Sequence, residues 1–263
     1  MGSSQTATAV AGEPRLGVLA FGDSITNAGG DIQWGVALQS WAMWTARGLG
    51  VPYSPYAFDG ATAEDVLRSQ IPLMERCTGV GSEMEDAGPP MRRYDVGCLY
   101  VGTNDVRRPS YDEDAYADQL DAGFAFLAAR CDRVLTATLP LHLAWPYRRL
   151  LDRHLVERCN RTIERVARRH GVLVVDLRRF GGRTVMMADC VHPTAFGQIA
   201  IAEAALDRLA ADGMQVRVRP WALTSFTTSA RGRLRGDATF AWRSAREYAR
   251  AATAQARTRI TGP

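Results

Sequence analysis

Leu16-Gly17-Val18-Leu19-Ala20-Phe21-Gly22-Asp23-Ser24-Ile25-Thr26 sets an uncharged, mostly apolar run directly against a turn. The run suits a strand buried on both faces, because it is too short for a helix and lacks the polar alternation of a half-exposed strand. Gly22 and Asp23 end it: glycine permits a tight backbone path, and the aspartate carboxylate accepts from nearby turn amides. Outward from this stretch the chain alternates. Trp34 to Arg47 is predicted as a helix with Val36, Leu38, Trp41 and Trp44 among its apolar positions, Val51 to Phe58 as a strand, and Thr62 to Arg76 as a helix. Val96 to Val101 is the next strand, and Glu113 to Arg130 is a helix with Tyr116, Leu120, Phe124 and Leu127 at helical spacing. Arg133 to Leu139, Tyr147 to Arg169, Val172 to Leu177 and Ala195 to Ala211 continue the pattern. Strands alternating with helices imply an α/β fold, a three-layer α/β/α sandwich around a sheet of about five parallel strands.

In such sheets ligands bind beyond the carboxyl ends of the strands. Four blocks fall there: Gly22-Asp23-Ser24-Ile25-Thr26 after the first strand, Gly60 after the second, Gly102-Thr103-Asn104-Asp105 after the third, and Asp189-Cys190-Val191-His192-Pro193 after the fifth. Each block alone fits an ordinary turn, but four chance motifs are not expected to share one edge. Their chemistry is complementary. A serine hydroxyl needs a base to take its proton, and a histidine needs a partner to fix its tautomer; Ser24, His192 and Asp189 fit these roles. The three-residue spacing lets the Asp189 carboxylate reach the imidazole within one turn, while Pro193 favours extended backbone at His192 and Thr194 can cap the following helix. Acyl transfer also requires donors for an oxyanion, for which the Gly60 amide and the Asn104 carboxamide are candidates. The spacing is not that of a nucleophile elbow, because GxSxG needs glycine where Thr26 stands.

Composition narrows the chemistry. The chain has 263 residues, 46% of them hydrophobic, enough for one full core of about 200 residues plus an appendage. It contains no lysine, so its 32 basic side chains are all arginine, which excludes a Schiff-base lysine, a P-loop lysine and a serine-lysine dyad. Cys77, Cys98, Cys131, Cys159 and Cys190 form no CxxC pair and suggest core thiols rather than a disulfide framework. A metal at Cys190 and His192 would need further ligands, none of which is suitably spaced, so no metal and no cofactor is expected. No apolar run reaches the length of a membrane span, and residues 1–14, read as a flexible leader, lack the charged-then-apolar order of a secretory signal; the expected location is cytoplasmic.

The four blocks in this order resemble the SGNH hydrolase family, also called GDSL lipases and esterases, over about residues 15–213. The resemblance implies a flavodoxin-like α/β/α domain with Ser24 as nucleophile, His192 as base and Asp189 as its orienting partner. It also implies an oxyanion hole made by the Ser24 and Gly60 amides with the Asn104 side chain. One departure is Asp59, before the glycine of the second block, where family members often carry serine or another small residue. The implied activity is hydrolysis of an ester or thioester of a small or medium acyl group through an acyl-enzyme. Alternatives are an acyltransferase using the same intermediate and a binding module that has lost the chemistry. The small-molecule ester is the expected partner, with His142 and Trp145 in the loop from Leu139 to Arg149 as candidate substrate contacts.

Charge divides the chain. From Met214 to Pro263 ten arginines face Asp237 and Glu247, a net of +8, so residues 1–213 carry +4 minus +8, or −4. From Asp237 on, Ala238, Ala241, Ala245, Tyr248, Ala249, Ala252 and Ala256 fall on one side of a helix and Arg243, Arg246, Arg250 and Arg257 on another. This basic extension, residues 214–263, is expected to pack on the acidic domain or to meet a membrane or other anionic surface. Nucleic acid is not an expected partner, since no binding module accompanies the charge.

Overall fold

The computed structural model describes residues 15–29, 38–78, 93–141, 152–182, 184–187 and 189–224, and at 231–249 only residues 231, 234, 235, 238, 239, 241, 242, 245, 246 and 249. Five parallel strands form one sheet: β1 Val18–Gly22, β2 Tyr53–Pro55, β3 Tyr94–Tyr100, β4 Cys131–Ala137 and β5 Leu173–Val175. Their order, β2-β1-β3-β4-β5, is that of a flavodoxin-like doubly wound sheet. The registers run Val18 against Tyr53 and Val96, Tyr94 against Cys131, and Leu135 against Leu173. β1 and β3 are buried at every residue, as central strands covered on both faces must be, and the one charged side chain in them, Asp95, is paired with Arg15 and accepts from the Gly17 amide at 2.9 Å.

The helices are α1 Trp41–Leu49, α2 Ala63–Asp65, α3 Ile71–Thr78, α4 Glu113–Arg130, α5 Arg153–Arg169 and α6 Ala195–Ala211, with a π-helical segment, Val66–Gln70, joining α2 to α3. α1 packs on α6, and α4 packs on α5, α2, β3 and β4, which makes the three layers. The α4 stripe Tyr116, Leu120, Phe124 and Leu127 is wholly buried, and each such side chain contributes about 1.5–3 kcal/mol of hydrophobic stabilisation. Cys98, Cys131 and Cys159 lie in the same core, whereas Cys77 is exposed and Cys190 half-buried.

Several boundaries differ from the sequence expectations. α1 begins at Trp41 rather than Trp34, because Ser40 adopts extended backbone and accepts from the Met43 amide, stopping the helix there; residues 30–37 lie outside the described residues. β2 is shorter than the expected Val51 to Phe58 because its pairing with β1 ends at Pro55, opposite Ala20. α5 starts at Arg153, where Asp152 accepts from the His154 amide, and not at Tyr147, which with residues 142–151 lies outside the described residues. In the C-terminal extension the described residues of 231–249 are helical and exposed, Leu234 and Trp242 among them. Asp237, Arg243, Tyr248, Arg250, Ala252, Ala256 and Arg257 lie outside the described residues. No helix among the described residues is long and apolar enough to cross a membrane.

Candidate active site

Past Gly22 the backbone folds into a tight turn. The Asp23 amide donates to Tyr100 O at 3.3 Å, and its carboxylate accepts from the Ile25 amide at 2.9 Å, as the turn chemistry of the sequence anticipates. Asn27 N then donates to Asp23 O at 2.9 Å and Gly29 N to Ser24 O at 2.6 Å, so the turn curls back over its own serine. A Cβ at Gly29 would lie 3.0 Å from Ser24 Cβ and 3.4 Å from His192 Cδ2, so glycine leaves room there for the serine and the imidazole to meet. Asp23 is almost fully buried, and burial pushes its carboxyl up to about 7.

The fourth block reaches this turn from the opposite end of the chain. Cys190 takes a positive φ of 57°, which bends the loop so that Asp189 Oδ1 accepts from the Val191 and His192 amides at 2.9 and 3.0 Å. Met187 N donates to His192 O at 2.9 Å, and Thr194 both pairs with Val185 O and caps α6 through the Gly197 amide at 3.1 Å. The imidazole is held between two partners: Nδ1 lies 2.7 Å from Asp189 Oδ2 and Nε2 lies 2.8 Å from Ser24 Oγ. With Nδ1 protonated and donating to the carboxylate, Nε2 is left as the acceptor for the serine hydroxyl. The Asp189 hydrogen bond is the main reason the His192 pKa is raised, outweighing the opposing effect of burial. Burial raises Asp189, but its bonds to the His192 ring and amide outweigh that, so its carboxyl lies below the ordinary range.

The second and third blocks stand beside one another. Gly60 has a φ of 78°, a conformation that a side chain disfavours, and its amide, like that of Ser24, donates to no acceptor among the described residues. Asn104 Nδ2 donates one N–H to Ala61 O at 3.0 Å, which leaves the second N–H of the carboxamide for an incoming acceptor. Asp105 Oδ1 accepts from the Ala63 amide at 3.0 Å, and burial raises its carboxyl to about 6. Asp59, the departure in the second block, accepts from Asn27 Nδ2 at 3.0 Å and so ties the second block to the first.

Two residues that the sequence reading passed over brace the serine turn. Gln70, at the end of the π-helical segment, accepts from Gly22 N at 2.9 Å and donates to Gly22 O at 2.7 Å. Gln198, on α6, donates to Ile25 O at 2.8 Å and accepts from Trp41 N at 2.8 Å. The available signal was a carboxamide among apolar neighbours, as in Phe196-Gly197-Gln198-Ile199, where a solvated face would leave it unexplained. His142 and Trp145 lie outside the described residues. A cavity of about 200 Å³ beside Asp105 is lined by Thr62, Glu64, Arg108 and Tyr111, but not by Ser24 or His192. Among the described residues, no three His, Cys, Asp or Glu side chains form a group that could hold a metal.

The sequence model of the GDSL-like lipase/acylhydrolase family matches residues 20–200, a stretch that contains all four blocks. Curated proteins give no match. Among solved structures the chain is similar to LAE5, an alpha/beta hydrolase enzyme from the metagenome of Lake Arreo in Spain, at 20% identity and a TM-score of 0.55, over 75% of this chain and 96% of that one. It is also similar to Axe2, an acetylxylan esterase from Geobacillus stearothermophilus, at 18% identity and a TM-score of 0.54, over 78% and 99% of the two chains. TesA matches at 20% identity and a TM-score of 0.52, over 73% and 97%. At such identities the structural likeness speaks for the fold, and the family match speaks for the chemistry. The chain belongs to the GDSL-like lipase/acylhydrolase family and is a carboxylic ester hydrolase of the SGNH type.

Proposed function

We propose that this hydrolase cleaves an ester or thioester of a small or medium acyl group through a covalent acyl-enzyme on Ser24. The observation that carries the reading is the bonded line Asp189–His192–Ser24, with a 2.7 Å contact between Asp189 and His192 and a 2.8 Å contact between His192 and Ser24, 168 positions apart. His192 Nε2 takes the hydroxyl proton as Ser24 Oγ attacks the carbonyl carbon. The oxyanion of the tetrahedral intermediate accepts from the Ser24 and Gly60 amides and from the second N–H of Asn104. Collapse of the intermediate passes the proton from His192 to the departing alcohol or thiol. Water then repeats the sequence on the acyl group, with His192 again as base, and Ser24 regains its proton as the carboxylic acid leaves. Asp189 keeps Nδ1 protonated and stabilises the imidazolium formed at each step.

Replacing Ser24 with alanine removes the nucleophile and leaves the fold intact, since the Oγ contact is to His192 alone among the described residues. Steady-state turnover of an activated acetyl or butyryl ester is expected to fall by about 10⁶. Wild-type turnover in the Ser24→Ala protein would overturn the mechanism.

A further inference from the structure

The pairing of β1 with β2 stops at Ala20 opposite Pro55, yet β1 continues two residues further to Gly22, where the serine turn begins. The peptide groups of Gly22 that face β2 therefore have no strand residue in register. Gln70 completes this truncated ladder. Its carboxamide has the same donor and acceptor as a peptide group, and it accepts from Gly22 N at 2.9 Å while donating to Gly22 O at 2.7 Å. Gly22 O also accepts from the Phe58 amide at 3.3 Å, and Phe58 leads directly to Asp59 and Gly60. One carbonyl thus joins the start of the nucleophile turn to the loop that carries an oxyanion donor.

The helix that delivers Gln70 is tied to the same loop. Thr62 and Asp65 form a capping box at its start, the Ala63 amide donates to Asp105, and Asn104 donates to Ala61 O. The π-helical segment Val66–Gln70 then shifts the helical phase just where the carboxamide enters the core. Such segments recur at functional sites. Gln70 has no solvent exposure, so an unpartnered polar atom here would be costly, and Gly22 gives a partner to both its oxygen and its nitrogen. A closed circuit results: Gly22, Gln70, the helix start at Ala63, Asp105 and Asn104, Ala61 and Gly60, and back through Phe58 to Gly22.

We propose that Gln70 is a positioning residue for ester hydrolysis, fixing the Ser24 turn relative to the Gly60 and Asn104 donors through the two peptide groups of Gly22. The inference rests on the reading of Ser24 as nucleophile. Geometry of this kind acts on rate more than on binding, and a displacement of about 1 Å costs on the order of 10² in rate.

The test compares Gln70→Met and Gln70→Glu with the wild type, with kcat expressed per active site titrated by a fluorophosphonate. Methionine keeps the length and loses both hydrogen bonds, so kcat is expected to fall by about 10² with KM little changed. Glutamic acid in its protonated form keeps both bonds; ionised, it loses the donor and sets a negative oxygen against Gly22 O. The ratio of Gln70→Glu to wild-type kcat at equal pH should therefore rise as pH falls. A merely structural role would change melting temperature and titratable fraction but not this ratio. Wild-type kcat in folded Gln70→Met, or the same deficit for Gln70→Glu at every pH, would overturn the proposal. If Gln70→Met does not fold, the glutamate ratio decides. Absence of a fluorophosphonate adduct on Ser24 in the wild type would overturn the nucleophile reading and this inference with it, whereas an adduct with a flat, lowered ratio overturns this inference alone.

Discussion

On one half of the rim Ser24, His192 and Asp189 direct their polar groups at one another, and each contact is already at hydrogen-bond distance. On the other half the Ser24 and Gly60 amides donate to nothing among the described residues, and Asn104 has one of its two N–H groups in use. In the proposed mechanism the first half is complete without substrate and the second only with it. The contrast follows from what the proposed mechanism asks of each half. A base must hold its tautomer and basicity before the ester arrives, whereas donors aimed at an oxyanion gain most if no protein acceptor competes for them. Both halves are held by hydrogen bonds outside the reacting groups: Asp189 by two backbone amides, and the Gly60 loop by Asn104, Asp105 and Asn27.

The two halves should therefore fail differently. Asp189→Asn strikes the first. It removes the charge and favours the wrong imidazole tautomer, and kcat should fall by about 10⁴. It should also move the pH profile. The proposed mechanism needs neutral His192, and the Asp189 bond raises the His192 pKa above the ordinary 6.5, so the wild-type rate should fall as pH drops through a value higher than an isolated histidine would give. Without that partner the acid limb of kcat/KM should shift to lower pH. An unmoved limb would show that Asp189 does not set the basicity of His192.

Asn104→Ala strikes the second half and should be milder, lowering kcat by about 10² to 10³ through loss of one oxyanion donor. The Ala63–Asp105 bond remains to hold the loop, so KM and melting temperature should change little. Here the acid limb should stay in place, since Asn104 is not among the groups that shift His192. If Asn104→Ala moved the limb as Asp189→Asn does, the division of the rim into a base half and an oxyanion half would be wrong.

Much of this arrangement is legible from sequence because the local signals agree with the global ones. The first strand is uncharged and ends on Gly22, the α4 stripe repeats at helical spacing, and Asp189 reaches His192 within three residues. What escaped the sequence depends on partners far along the chain. Gln70 meets Gly22 across 48 residues and Gln198 meets Ile25 across 173, and a lone glutamine in a helix ordinarily reads as a solvated position. The π-helical segment that brings Gln70 inward has no periodicity of its own to announce it. Likewise Val51 to Phe58 has the composition of a full strand, but at a sheet edge the length of the pairing is set by the neighbour, and β2 ends where its ladder with β1 ends.

The central claim, that the line from Asp189 through His192 activates Ser24 as a covalent nucleophile, is tested most directly by intact-protein and peptide mass spectrometry after exposure to a fluorophosphonate. A single adduct on the peptide containing Ser24, formed in the wild type and absent in Ser24→Ala, is the expected result. No adduct, or an adduct on another residue with Ser24 unmodified, would contradict it.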